Sequence, residues 1–197
     1  MSLLKSNIFS EQDNYWMKTA VSYARHGIGF TGYNPSVGCA IVKDNELISI
    51  SRTQDGGRPH AEEKAINLAG NKTIGSTLYV TLEPCAHLSK ISSCVDLILS
   101  AKIKKVVIGC IDPDIRTNGS SISKLKHYGI EVLSGCLVDE IEETLIGFKN
   151  RINKNKPYIT VKIASSLDGN ISLKNGKSKW ITGENTRQYI HLLRARN

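Results

Sequence analysis

Apolar and polar positions along this chain follow two different periods, which together predict the order of its helices and strands. Short apolar runs between turn residues predict strands, and apolar positions three to four residues apart predict helices. The predicted strands are 39–42, 47–50, 77–81, 106–109 and 130–133. The predicted helices are 11–26, 61–68, 94–100, 121–127 and 139–148. A hairpin followed by alternating helices and strands predicts an α/β fold, a three-layer α/β/α sandwich around a mixed sheet of about five strands.

The last quarter of the chain breaks this pattern and predicts a second, smaller segment. Residues 150–157 are basic and polar without apolar periodicity, which is typical of a linker. Beyond them the pattern predicts a strand at 158–164, a turn at 167–169 and a helix at 184–196. One strand and one helix are too little for an independent core. We therefore predict a first domain at 1–149, a linker at 150–157 and the incomplete start of another domain at 158–197.

The composition and the charge distribution indicate in which compartment the protein works and which classes of partner it binds. The sequence has no apolar stretch of membrane-spanning length and no signal-peptide pattern at its start, so we expect no membrane partner. Five cysteines, an odd number, fit free thiols in a reducing cytoplasm better than a disulfide framework. The net charge is +8, but residues 1–149 carry 16 basic and 16 acidic residues, so the excess lies in residues 150–197. A nucleic-acid partner is therefore not expected for the first domain.

Four residues in the neutral part of the chain form a candidate metal site. His60, Cys85 and Cys94 offer one imidazole and two thiolates, the ligand types that Zn²⁺ prefers. Three protein ligands leave a fourth position for water, as in catalytic zinc sites. Glu62 is not needed as a ligand and is placed to move protons for that water. His-x-Glu followed by Pro-Cys is a known zinc-deaminase signature, so the pattern indicates hydrolytic deamination, although eight residues separate Cys85 from Cys94 where that signature has two.

Several motifs together resemble the bifunctional deaminase/reductase family of riboflavin biosynthesis. They are Asn34-Pro35-x-Val37-Gly38, His60-Ala61-Glu62, Thr81-Leu82-Glu83-Pro84-Cys85-x-His87, Lys162-x-Ala164-x-Ser166-Leu167-Asp168-Gly169 and Ser178-Lys179-Trp180-Ile181-Thr182-Gly183. The resemblance implies a cytidine-deaminase-like fold and a reductase half that is truncated after its start. It also implies deamination of 2,5-diamino-6-ribosylamino-4(3H)-pyrimidinone 5′-phosphate to 5-amino-6-(5-phosphoribosylamino)uracil. The family's next step is an NADPH-dependent reduction, which we expect to be lost or incomplete in this chain.

The resemblance also assigns roles to individual residues. It makes His60, Cys85 and Cys94 the ligands of one zinc ion per chain, with Glu62 as the catalytic proton shuttle. The substrate-binding residues that it implies are Asn34, His87, Lys90, Ser178 and Arg194. The residues that it implies for the nicotinamide cofactor are Ala164 and Trp180, and NADPH is expected only for a complete reductase domain. Between the two cysteines only the basic position, Lys90, matches the family's loop. The family's tendency to assemble makes a homo-oligomer possible.

Two other functions are compatible with parts of the pattern. A nucleoside or tRNA deaminase would share the metal signature, but the wide cysteine spacing and the neutral first domain disfavour it. A non-catalytic remnant that serves as a binding module would explain the altered loop at 89–93. The intact set of metal residues and Glu62 disfavours that second alternative.

Overall fold

The computed structural model describes residues 8–86 and 92–196, which divide into two compact units at the boundary between residues 157 and 158. The strands are β1 (Gly38–Lys43), β2 (Glu46–Arg52), β3 (Thr77–Leu82), β4 (Lys105–Cys110) and β5 (Glu131–Ser134). The α-helices of the first unit are α1 (Glu11–Arg25), α2 (Ala61–Ala69), α3 (Cys94–Ser100), α4 (Ser120–His127) and α5 (Val138–Lys154). The second unit contains α6 (Glu184–Ala195). No helix in the described residues is both long enough and apolar enough to cross a bilayer.

The five strands form one mixed sheet in the order β2-β1-β3-β4-β5. Strand β1 pairs antiparallel with β2 and β3, whereas β3, β4 and β5 are parallel. The predicted mixed sheet of about five strands is thereby confirmed. Parallel strands end at the same edge of a sheet, so the segments after β3 and β4 emerge side by side.

Helices cover both faces of this sheet. Residues 78–82 of β3 are all buried although their side chains point alternately to opposite faces, so neither face is open to solvent. Helix α1 packs on the sheet next to α5, while α2 packs on the sheet next to α3, which contacts α4. The result is the predicted α/β/α sandwich.

A buried carboxylate anchors the start of α1. Asp13 is 4% exposed and completes a capping box, in which Ser10 Oγ accepts from the Asp13 amide at 3.0 Å and the Ser10 amide donates to Asp13 Oδ2 at 3.1 Å. Tyr79 Oη and Lys105 Nζ donate to Asp13 Oδ1 at 3.1 and 3.2 Å. Burial would raise the pKa of Asp13, but the hydrogen bonds from Ser10 and Lys105 outweigh it and hold the pKa below its ordinary value of 3.8.

This carboxylate predicts an acid-sensitive part of the stability. A depressed pKa stabilises the fold above the unfolded-state pKa, and that contribution is lost as the pH falls through the lower folded-state pKa. We expect Asp13→Asn to lower the free energy of unfolding by about 2 kcal/mol at pH 7, with the gap to the native protein shrinking below about pH 4. Urea denaturation between pH 3 and 7 measures this. Asp44→Asn, in the exposed turn between β1 and β2, is the control; a gap that stays constant with pH would contradict the prediction.

Two predictions about the end of the chain are wrong. Helix α5 continues to Lys154, so residues 150–154 are helical and not part of a linker. The apolar face of the helix extends past residue 149, because Phe148 packs against the core and Ile152, one turn later, is partly buried. Residues 158–164 form no strand, although their sequence alternates: Ile159, Val161 and Ile163 are all more than 70% exposed. A strand needs a neighbour for its backbone hydrogen bonds, and the described residues of the second unit provide none.

Candidate active site

Three residues from separate elements meet beyond the carboxyl end of β3. His60 is the N-cap residue of α2, Cys85 follows β3 by three positions, and Cys94 is the first residue of α3. Ser93 caps α3, because its hydroxyl accepts from the Asp96 amide at 3.2 Å. Two helix N-termini therefore point toward one site, where their partial positive charge favours thiolates.

The side-chain atoms of these residues are spaced as zinc ligands. His60 Nδ1 lies 3.4 Å from Cys94 Sγ and 3.7 Å from Cys85 Sγ. A tetrahedral Zn²⁺ with bonds of about 2.3 Å to sulfur and 2.0 Å to nitrogen separates such ligand atoms by about 3.5–3.8 Å. All three atoms lie within 4.8 Å of one another, and they are the one such metal-binding group among the described residues. The donor set and its spacing fit zinc.

Hydrogen bonds within the group of His60, Cys85 and Cys94 shift the pKa values of its members in a way that favours metal binding. The hydrogen bond from the Cys94 thiol is the main reason that the pKa of Cys85 falls to about 4, and the bond to His60 adds to it. The same contact with Cys85 raises the pKa of Cys94, and burial raises it further. The hydrogen bond with Cys85 also raises the pKa of His60. The Cys85 thiolate is therefore favoured before a metal binds, and the proton of the Cys94 thiol is one that the metal displaces.

Glu62 lies beside this group in the first turn of α2. Its side chain is 3% exposed and lies near the two cysteines, and its charge raises the pKa of the Cys94 thiol. Burial raises the pKa of Glu62 above its ordinary value of 4.5. A carboxyl group with a raised pKa can both accept and release a proton near neutral pH.

A cavity of about 300 Å³ opens in front of the metal group. Its floor includes His60, Glu62 and Cys85, and its walls come from the loops after α1, β2 and β4 and from the last turns of α5. This volume is at the lower end of the range for small-molecule sites. The described geometry therefore offers a reactive group at the bottom of a pocket for a small molecule.

Asn34 lies in the wall of this pocket, and a close contact orients its amide. Asn34 Nδ2 donates to the carbonyl oxygen of Gly57 at 2.9 Å, which leaves Oδ1 available as an acceptor. Gly57 has a φ of 93°, and a Cβ added there would lie 2.5 Å from Asn34 Nδ2. The contact therefore requires glycine at this position.

The structure brings together some of the other predicted residues. His87 and Lys90 lie outside the described residues. Ala164, Ser178, Trp180 and Arg194 line one cavity of about 280 Å³ within the second unit. Their assignment to cofactor and substrate stays a prediction.

Sequence reasoning missed several residues of the first pocket. Arg58, Arg116, Phe148 and Arg151 all contribute to its wall. Arg151 Nη2 donates to the carbonyl oxygen of Tyr33 at 2.6 Å, and its guanidinium carbon lies 5.6–5.7 Å from the centres of the Phe148 and Tyr33 rings. Arg58 could have been found from the sequence, because it is a basic residue two positions before the metal residue His60. The others reach the site from elements distant along the chain.

Comparison with known proteins agrees with this geometry. Residues 10–110 match the cytidine and deoxycytidylate deaminase zinc-binding region, and residues 157–197 match the RibD C-terminal domain. The riboflavin biosynthesis protein RibD of Aquifex aeolicus is 41% identical over 184 residues, which are 93% of this chain and 52% of that protein. RibD of Escherichia coli is 40% identical over 186 residues, or 94% of this chain and 51% of that protein.

A solved structure supports the same relationship. The diaminohydroxyphosphoribosylaminopyrimidine deaminase/5-amino-6-(5-phosphoribosylamino)uracil reductase of Thermotoga maritima superposes with a TM-score of 0.87 at 40% identity, covering 93% of this chain and 53% of that one. The predicted cytidine-deaminase-like fold is thereby confirmed, and the chain spans about half the length of the relatives it matches. The chain belongs to the cytidine and deoxycytidylate deaminase family of zinc-binding domains, as a relative of the RibD proteins of riboflavin biosynthesis.

Proposed function

We propose that the first unit catalyses a deamination step of riboflavin biosynthesis. The substrate would be 2,5-diamino-6-ribosylamino-4(3H)-pyrimidinone 5′-phosphate, which water converts to the corresponding uracil with release of ammonia. The observation that carries this proposal is the His60–Cys85–Cys94 group with the buried Glu62 beside it at the bottom of a small pocket. The similarity to RibD proteins along 93% of the chain supports the choice of substrate.

We assign the residues of the site three roles in this reaction: metal binding, proton transfer and substrate recognition. His60, Cys85 and Cys94 hold the zinc, which when bound lowers the pKa of a water molecule toward neutrality. Glu62 accepts the first proton from the attacking water and delivers it to the ring nitrogen. It then takes the second proton, from the hydroxyl group formed on the ring carbon, and delivers it to the amino group, which leaves as ammonia. Asn34 Oδ1, left free by the bond from Nδ2 to Gly57, accepts a hydrogen bond from the pyrimidine edge.

The pocket favours a small phosphorylated molecule over nucleic acid. Among the described residues that line it, the arginines are Arg58, Arg116 and Arg151, of which Arg116 is paired with Asp114 through a bond of 2.9 Å. Three arginines suit one phosphate group, whereas a nucleic-acid partner would need a broad basic surface. Residues 1–149 are neutral overall, which agrees with a small ligand. We assign the reaction to the cytoplasm, where the five free cysteines would remain reduced.

Arg58 provides a test of phosphate recognition. Its side chain is exposed at the pocket and has no hydrogen-bond or ion-pair partner in the described parts of the chain, so it is available to an anion. We expect Arg58→Ala to raise the KM for the phosphorylated pyrimidine about tenfold and to change little for the dephosphorylated compound. Steady-state kinetics with both compounds measure this, with Arg25→Ala, exposed at the end of α1, as the control. An equal change for both compounds would contradict a phosphate contact.

The proposed reaction itself is tested by ammonia release. Purified protein with its zinc content measured is incubated with the phosphorylated diaminopyrimidine, and ammonia and the uracil product are quantified. We expect stoichiometric formation of both. Zinc-loaded, folded protein that releases no ammonia from this compound would overturn the proposal and favour a non-catalytic binding role.

The second unit does not add a reductase site to this proposal. The described residues 158–196 contain one α-helix and no strand, and α6 has no buried residue. Arg187 lies over the Trp180 ring at 3.9 Å, in the cavity that Ala164 and Arg194 also line. We propose that these residues contribute to NADPH-dependent reduction only within a more complete domain, because they lack a core of their own.

A further inference from the structure

Glu83 links the residues that lead from β3 to Cys85 with another wall of the pocket. It follows the last residue of β3 and precedes Cys85 by two positions, and its side chain is 3% exposed. Its amide donates to the carbonyl oxygen of Cys110 at 2.9 Å, which continues the pairing of β3 with β4 beyond the sheet. A carboxylate at such a depth is costly unless donors satisfy it.

Within the described parts of the chain, the donors to the Glu83 carboxylate all come from one segment, residues 112–121 after β4. Glu83 Oε2 accepts from the Asp112 amide at 3.2 Å and from the Gly119 amide at 3.0 Å. Glu83 Oε1 accepts from Ser121 Oγ at 2.6 Å. Bonds to a carboxylate are stronger than those between neutral groups, so the carboxylate holds both ends of this segment.

The segment that Glu83 holds is a wall of the pocket. Asp112, Asp114 and Arg116 all line it. The segment is braced internally, because Asp112 Oδ1 accepts from the Asp114 amide at 2.9 Å and the Asp112 carbonyl accepts from Asn118 Nδ2 at 3.0 Å. Hydrogen bonds therefore connect the segment internally, and Glu83 ties it to the residues that lead from β3 to Cys85.

We propose that Glu83 is a positioning residue that sets the distance between the 112–121 wall and the metal ligands, and so the fit of the pyrimidine ring. This inference rests on the proposed function. Glu83 lines the pocket too, but both of its carboxylate oxygens are bonded to the 112–121 segment, so its loss should weaken substrate binding more than the chemical step. A shift of about 1 Å in such a wall can cost on the order of 100-fold in efficiency.

The test uses three variants, Glu83→Ala, Glu83→Gln and Ser121→Ala. The control is Glu131→Gln, at an exposed position on β5. In Glu83→Ala we expect a KM about 10–100-fold higher, a kcat within about threefold of the native value, and zinc still bound. Glu83→Gln keeps an acceptor and should recover part of the loss, and Ser121→Ala, which removes one donor, should raise the KM a few-fold. Glu131→Gln should behave as the native protein.

Amide hydrogen exchange separates this role from general stability and from the proposed reaction. We expect the amides of Asp112 and Gly119 to exchange at least about tenfold faster in Glu83→Ala, with β3 and α2 unchanged. Equal acceleration throughout the first unit, or a lowered kcat with an unchanged KM, would overturn the proposal. If Glu83→Ala does not fold, native exchange and KM in both Glu83→Gln and Ser121→Ala would overturn it. If the native protein releases no ammonia, the proposed function fails, and the exchange of these two amides still decides the role of Glu83.

Discussion

Replacement of Glu62 by glutamine is expected to lower the rate of deamination roughly 10³-fold while the protein keeps its zinc. Glutamine preserves the size and polarity of the side chain, but it cannot accept and release a proton. The site depends on that ability, because burial raises the pKa of Glu62 toward the range where proton transfer is efficient. Ammonia release and zinc content, measured on the same sample, test the expectation.

Glu63→Gln is the matched control for this substitution. Glu63 is the next residue on α2 but does not line the pocket, so its loss should leave the rate within about twofold of the native value. If Glu62→Gln retained a tenth or more of the native rate with zinc bound, another residue would have to shuttle the proton. If it lost zinc, Glu62 would act through the metal group instead.

Replacement of Cys85 by serine is expected to remove both the metal and the activity. The Cys85 thiol, with its pKa lowered to about 4, is the side chain of the group that is anionic before metal binding. A serine hydroxyl does not ionise near neutral pH and is a poor zinc ligand. Loss of a supporting second-sphere partner costs about 10–100-fold in metal affinity, so loss of a direct ligand should cost more than about 100-fold. Competition for zinc with a colorimetric chelator measures this change.

Cys136→Ala serves as the control for cysteine removal. Cys136 is also buried, but its sulfur lies near the Asp13 carbonyl and not at the metal group. This variant should keep about one zinc per chain and nearly all of the native activity. Native zinc affinity in Cys85→Ser would contradict the assignment of His60, Cys85 and Cys94 as the ligand set.

The sequence was most informative where function depends on local spacing. His60 caps α2 and Glu62 lies in its first turn, so their separation of two positions places both at one helix N-terminus. Cys94 opens a helix because Ser93 caps it. The boundaries of most elements were also predicted to within two residues, since apolar periodicity reflects burial in the core. These features are determined by neighbours along the chain.

The rest of the pocket could not be predicted because it depends on contacts between distant segments. Phe148 and Arg151 reach it from the end of α5, and residues 112–116 reach it because β4 lies parallel to β3. The apolar periodicity of a sequence does not show which distant segments come into contact. The prediction of a strand at 158–164 was wrong because it also depended on a distant segment. An alternating sequence forms a strand only when a partner strand is available to pair with it.

Because Gly57 and Asn34 are in close contact, a substitution at one of these positions requires a matching substitution at the other. Any side chain at residue 57 would occupy the space of the Asn34 amide, and the backbone there, with a φ of 93°, already disfavours one. A chimera that imports the loop between β2 and α2 from another deaminase would therefore need to import residue 34 with it. Swaps of either segment alone should give folded proteins whose base recognition fails, whereas the paired swap should transfer the donor's preference.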